Sequence, residues 1–325
     1  MILMLSLVSC EKEVDLSNLI ISSEEPLSYI YWSESSDDIL YIIEDPYVSY
    51  GLGVSIYTVD ITTKENRKII DIINHAGYII SLTNNKIYYT NCLDPDNKKL
   101  YSWDISGQTG ELVKDSLVYV TYLSKKYLAY LKNIPNELTP LWTTVLYDLE
   151  SGSERIIAPG SNNFPLSISP DGSQLLLGVS NKDGLPSLVN TQTGDITDLT
   201  LSYYSSACGY HWKEGAVYTM YSDGLECSIK NMRTGNILIS LEDLNNGCSC
   251  SFNFSPSGQF IYNVNEVRTA QGKLEKSYLN LINTNNLEKT VIDLGDRLVY
   301  QVKFSPDETR IAYIGDQNKI YILNL

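Results

Sequence analysis

Histidine is nearly missing from this 325-residue chain, which has only His75 and His211. Two histidines exclude a multi-histidine metal centre, so no metal is expected. Basic residues are also short, with 24 Lys and Arg against 39 Asp and Glu, for a net charge of −15. Phosphate binding needs a basic stripe, so nucleic acid is excluded as a partner. Docking on anionic lipid by charge is disfavoured for the same reason. No run reaches the roughly 18 apolar residues that a spanning helix needs. The chain has no G-x-S-x-G elbow and no Gly-rich phosphate loop, and no cofactor is expected. Tyrosine, by contrast, is abundant at 25 residues, and aromatic residues favour strands over helices.

The first ten residues, "MILMLSLVSC", form an apolar run ending Leu7-Val8-Ser9-Cys10, and "EKEVD" follows. The ending resembles the lipobox of bacterial lipoproteins, although no Lys or Arg precedes the run. The resemblance implies a signal peptide over 1–9, a lipid on the Cys10 sulfur and a polar tether over 10–15. It also implies an outer-membrane lipoprotein of the cell envelope, because Glu11 rather than Asp follows the cysteine.

The remaining sequence repeats. "KFSPDETRIAYIG" joins a strand-like run to a second one through Ser305-Pro306-Asp307-Glu308. The same turn stands at Ser169-Pro170-Asp171-Gly172 and at Ser255-Pro256-Ser257-Gly258. Looser copies follow Tyr31, Ile80, Thr121 and His211. A second marker is independent of the first. Alternating runs end at Asp60, Asp104, Asp148, Asn190, Asn231, Asn283 and Asn324, at intervals of 44, 44, 42, 41, 52 and 41 residues. A polar turn and one more apolar run follow most of these markers. Each unit is therefore four strands, and four-stranded units of this length in tandem are propeller blades. Seven markers predict an all-β, seven-bladed β-propeller that spans 16–325 as one domain. The last marker ends the chain, so the stretch from Leu16 to Glu25 is expected to supply the missing fourth strand of blade seven. That pairing would remove an open sheet edge.

The Ser-Pro-Asp-Gly turn with an Ile-Ala-Tyr strand resembles the TolB-type, or WD40-like, propeller repeat of bacterial envelope proteins. Such a repeat is structural, so Asp171 and Asp307 are expected to be turn residues. Function is expected instead on the face with long, variable loops. Tyr47, Tyr50, Trp142, Tyr203 and Tyr204 fall on or near that face as candidate ligand-stacking residues. Glu44, Asp45, Asp94 and Asp96 are its candidate carboxylates. Cys208 and Cys250 take equivalent places in neighbouring inner strands, where a disulfide from Cys208 to Cys248 or Cys250 would fit.

These residues lead to a first expectation of a monomeric, non-catalytic scaffold. It would bind an envelope protein or glycan and meet the membrane only through its lipid. The alternative is an envelope carbohydrate-active enzyme working through loop carboxylates, since glycoside cleavage needs only two of them.

Overall fold

The structure, a computed structural model, describes residues 10–11, 19–44, 52–75, 79–83, 85–91, 98–117, 119–134, 141–159, 164–178, 185–200, 210–222, 227–240, 252–316 and 318–325. Among the described residues the regular structure is all strand, arranged as seven sheets in a ring. In blades one to six the four strands pair in chain order from the channel outward. Blade seven takes Val299–Phe304, Arg310–Gly315 and Lys319–Asn324 and closes with Leu19–Ser22. Leu19 pairs with Tyr321 and Ile21 with Ile320, antiparallel, as the repeat count requires. Cys10–Glu11 pairs in parallel with Lys289–Asp293 and adds a short strand to the outer edge of blade six.

Side chains of a strand alternate between its two faces, and each blade is packed by a neighbour on both. Strand sequences are therefore apolar on successive residues. Leu175, Leu176 and Leu177 are all fully buried, Leu175 and Leu177 toward blade three and Leu176 toward blade five. The core is consequently seven clusters, one per blade junction. The cluster that joins blade seven to blade one contains Ile21, Ile30, Trp32, Ala312 and Ile320.

Both sequence markers have a hydrogen-bond explanation. The serine of each Ser-Pro turn accepts the N–H of the fifth residue on. Gln174 donates to Ser169 Oγ at 2.9 Å, Phe260 to Ser255 Oγ at 3.0 Å and Arg310 to Ser305 Oγ at 3.0 Å. Blade one keeps the bond without the proline, from Asp38 to Ser33 Oγ at 3.1 Å. The Asp or Asn marker accepts the next N–H groups and closes the turn before the fourth strand. Asp60 receives Thr62 and Thr63, Asp148 receives Glu150 and Ser151, and Asn231 receives Arg233 and Thr234. Asp171 and Asp307 accept the hydroxyls of Ser169 and Ser305, at 2.6 and 2.5 Å, which makes them turn residues.

Gly172 takes φ +72°, and a Cβ there would lie 2.9 Å from Ser124 Oγ and Tyr127 Cδ2 of blade three. Gly172→Ala is expected to destabilise the protein by about 2 kcal/mol through backbone strain and this clash. A lowered urea midpoint checks it; an unchanged midpoint would show that the turn relaxes freely.

Candidate functional site

A cavity of about 370 Å³ lies between blades six and seven. Asn253, Tyr262, Asn263, Glu266, Tyr300, Gln301 and Lys303 carry its polar groups. Chain direction explains the location. Inner strands begin, and second strands end, on the variable-loop face. Val299 and Tyr300 open one strand and Glu266 lies near the end of another, so the cavity reaches that face.

The blade-seven wall is held from both sides. Gln301 Oε1 accepts the Ile30 N–H of blade one at 2.6 Å. The Lys303 carbonyl accepts Trp32 Nε1–H at 2.9 Å. From blade six, the Tyr262 hydroxyl donates to the Val302 carbonyl at 3.2 Å. Asn263, on the opposite wall, is fixed by Asn265 and Asn280, at 2.9 and 3.1 Å. The backbone beneath Lys303 is thus positioned before any ligand arrives, as a preorganised site requires.

Electrostatics single out Lys303. Burial lowers the pKa of its ammonium, because desolvation disfavours the charged form. Among the described residues no carboxylate lies within ion-pair distance of it. Glu266, across the cavity, is engaged by Arg268 at 2.6 Å. His211, on the inner strand of blade five, has its pKa lowered to about 4, first by burial and then by the Lys303 charge. Its ring stacks on Phe254 of blade six with centroids 4.8 Å apart. At neutral pH His211 is therefore a neutral imidazole beside a cation.

The repeat itself brings these side chains together. Lys303, Asn253 and Ser167 each stand two residues before the serine of their turn, and His211 takes that place when Trp212 is set against Phe254. His211, Asn253 and Lys303 are thus one position repeated on three consecutive inner strands. Composition does not flag this position, because each residue comes from a different blade. Counting back from the turn serine would have found it.

Most of the residues expected from the sequence to form a site are not among the described residues. Tyr47, Tyr50, Tyr203, Tyr204, Asp45, Asp94 and Asp96 fall outside the described residues, as do Cys208, Cys248 and Cys250. Glu44 and Trp142 end and begin strands at that face, where Glu44 pairs with Val54 and Trp142 with Asn133. Among the described residues, the cavity is lined by inner- and second-strand side chains.

No protein-family model matches the sequence, and no curated protein matches it by sequence. Solved structures do match by fold. An oligogalacturonate lyase from Vibrio parahaemolyticus superposes with a TM-score of 0.62 at 12% identity, over 96% of this chain and 92% of its own. An oligogalacturonate lyase in complex with manganese gives 0.59 at 14% identity, over 94% and 98%. TolB from Acinetobacter baumannii gives 0.45 at 15% identity, over 91% and 83%.

The manganese of that lyase sets a test for this chain. Among the described residues no three His, Cys, Asp or Glu side chains come together, and the charge of Lys303 is felt at His211, where it would oppose a dication. The described residues do not fit a manganese centre. A correction follows for function. The non-catalytic scaffold rested on the propeller frame and on absent hydrolase motifs, yet two structures that share this frame are lyases. A lyase needs no nucleophile elbow, so neither ground holds, and the enzyme alternative fits better. At these identities the likeness is one of fold, and the chain is a seven-bladed β-propeller.

Proposed function

We propose that the chain is a carbohydrate-active enzyme that takes an acidic saccharide into the cavity between blades six and seven. One observation carries this reading: a partly desolvated lysine without a described carboxylate partner, fixed in the wall of a cavity in a protein of net charge −15. Such a cation is unfavourable until an anion reaches it, so the site favours a ligand carboxylate over water. Tyr300 and the amide nitrogen of Gln301 carry hydrogen-bonding groups suited to sugar hydroxyls. The fold-similar oligogalacturonate lyases support an anionic sugar as the ligand.

The reaction that suits these groups is β-elimination. A base removes the proton α to the uronate carboxylate. The electron pair forms a carbon–carbon double bond, and the glycosidic oxygen leaves with its electrons and takes up a proton. Lys303 pairs with the carboxylate as negative charge grows on it.

The test is incubation of the purified protein with uronic-acid and neutral oligosaccharides, followed by ultraviolet absorbance of the unsaturated product. Cleavage of the acidic set alone is expected. Equal cleavage of neutral sugars, or none of either, would sink the reading.

A further inference from the structure

We infer that this site works without a divalent cation, with the Lys303 ammonium supplying the positive charge that holds the sugar carboxylate. The inference rests on the reading above and deepens it. Elimination α to a carboxylate needs that charge neutralised, because removing the proton pushes a second negative charge onto the same oxygens. A bound metal ion is one source, and one of the fold-similar lyases is a manganese complex. This chain offers a different source, on three independent grounds.

The first ground is the donor set. The chain contains two histidines, and among the described residues no three potential metal ligands cluster. The second is occupancy of the position. Lys303 lines the cavity, with its carbonyl held by Trp32 and the preceding carbonyl held by Tyr262. An ammonium in the wall disfavours a dication beside it and is itself a point charge with three donors. The third is the neighbour on the same register. His211 is stacked on Phe254 and keeps a neutral imidazole, so it adds no positive charge of its own near Lys303. Asn253, between the two on the inner strand of blade six, completes a row of one cation, one amide and one imidazole.

The arrangement balances charge. A single sugar carboxylate meets a single ammonium, and the cavity becomes neutral on binding. The charge of Glu266 is met by Arg268, which donates to its Oε2 twice, at 2.9 and 2.6 Å.

The experiment is calorimetric titration of the full chain with a trigalacturonate, after exhaustive dialysis against a chelator and again with added manganese. The same dissociation constant in both is expected. Lys303→Met should weaken binding roughly 10–100-fold, the loss of a charge-assisted contact, and Lys303→Arg should restore most of it. Far-ultraviolet circular dichroism and the melting midpoint of each variant establish that it is folded, and the arginine variant serves if the methionine variant is not. Binding that appears only with manganese overturns the inference and leaves the acidic-saccharide reading standing. Tight binding by Lys303→Met in chelator also overturns it. Absence of binding in both conditions overturns the reading and the inference together.

Discussion

Removal of residues 1–22 is expected to lower stability sharply, whereas removal of 1–18, which takes only the two-residue strand Cys10–Glu11 from the edge of blade six, is expected to lower it far less. The two deletions differ by one four-residue strand, Leu19–Ser22, which is the outer strand of blade seven. Ile21 is 9% exposed and packs with Ile320 and Ile322 in the cluster shared with blade one, and Ile20 packs against it. Burying two isoleucine side chains contributes about 2 kcal/mol each. Loss of the strand also uncovers the flank of Lys319–Asn324 and leaves its backbone groups as an open edge. A total near 5 kcal/mol follows, a large share of the roughly 5–15 kcal/mol that keeps a domain folded. Urea midpoints of the two deletions check this. Midpoints that coincide would show that blade seven is stable with three strands and that closure by the N-terminal strand is incidental.

The fold was legible because its signals are local and repeated. Ser169, Ser255 and Ser305 bond the fifth residue on, a geometry that needs serine, threonine or a similar acceptor at one place. The marker Asp or Asn is required for a comparable reason, since its carboxylate or amide oxygen takes two N–H groups of the turn. Where the requirement is weaker, the signature erodes. Ser36 and Glu308 adopt φ of 65° and 57° where blades four and six use glycine, so those copies read less clearly. The backbone is the same in all four.

The site was much less legible. Its wall residues sit two places before the turn serine, a position that neither the turn nor the inter-blade core constrains. Residue type there varies from Ser167 to His211 to Asn253 to Lys303, so no motif exists to recognise. His211 and Lys303 meet only because the ring brings blades five and seven to either side of blade six. Aromatic residues in loops stand out in sequence because stacking side chains are conspicuous there. A lysine in an inner strand is ordinary until its burial and its want of a described carboxylate are known. The scarcity of histidine, by contrast, was visible at once, because residue counts do not depend on how the chain folds.

The second large effect concerns acid. Glu154, on the outer strand of blade three, accepts the Tyr130 hydroxyl at 2.5 Å and Lys132 Nζ at 2.8 Å, and it also contacts Lys114 of blade two. Burial alone would raise its pKa, but the bonds from Lys114, Lys132 and Tyr130 outweigh it and hold the carboxyl at about 2 against an ordinary value of 4.5. A carboxylate with a depressed folded-state pKa stabilises the protein above its unfolded value. That stability drains away as pH falls from 4.5 toward 2. Glu154→Gln keeps an acceptor for the fully buried Tyr130 but removes the charge that both lysines face. The variant is expected to be less stable than the parent by about 2 kcal/mol at neutral pH, in the range for losing hydrogen bonds to a charged group. The gap should close through the same acid interval, because protonation makes the parent resemble the variant. Urea midpoints taken from pH 7 down to pH ~3 measure this, in the window where linkage acts. A gap that stays constant across that range would mean the carboxylate is neutralised by solvent rather than by the junction of blades two and three.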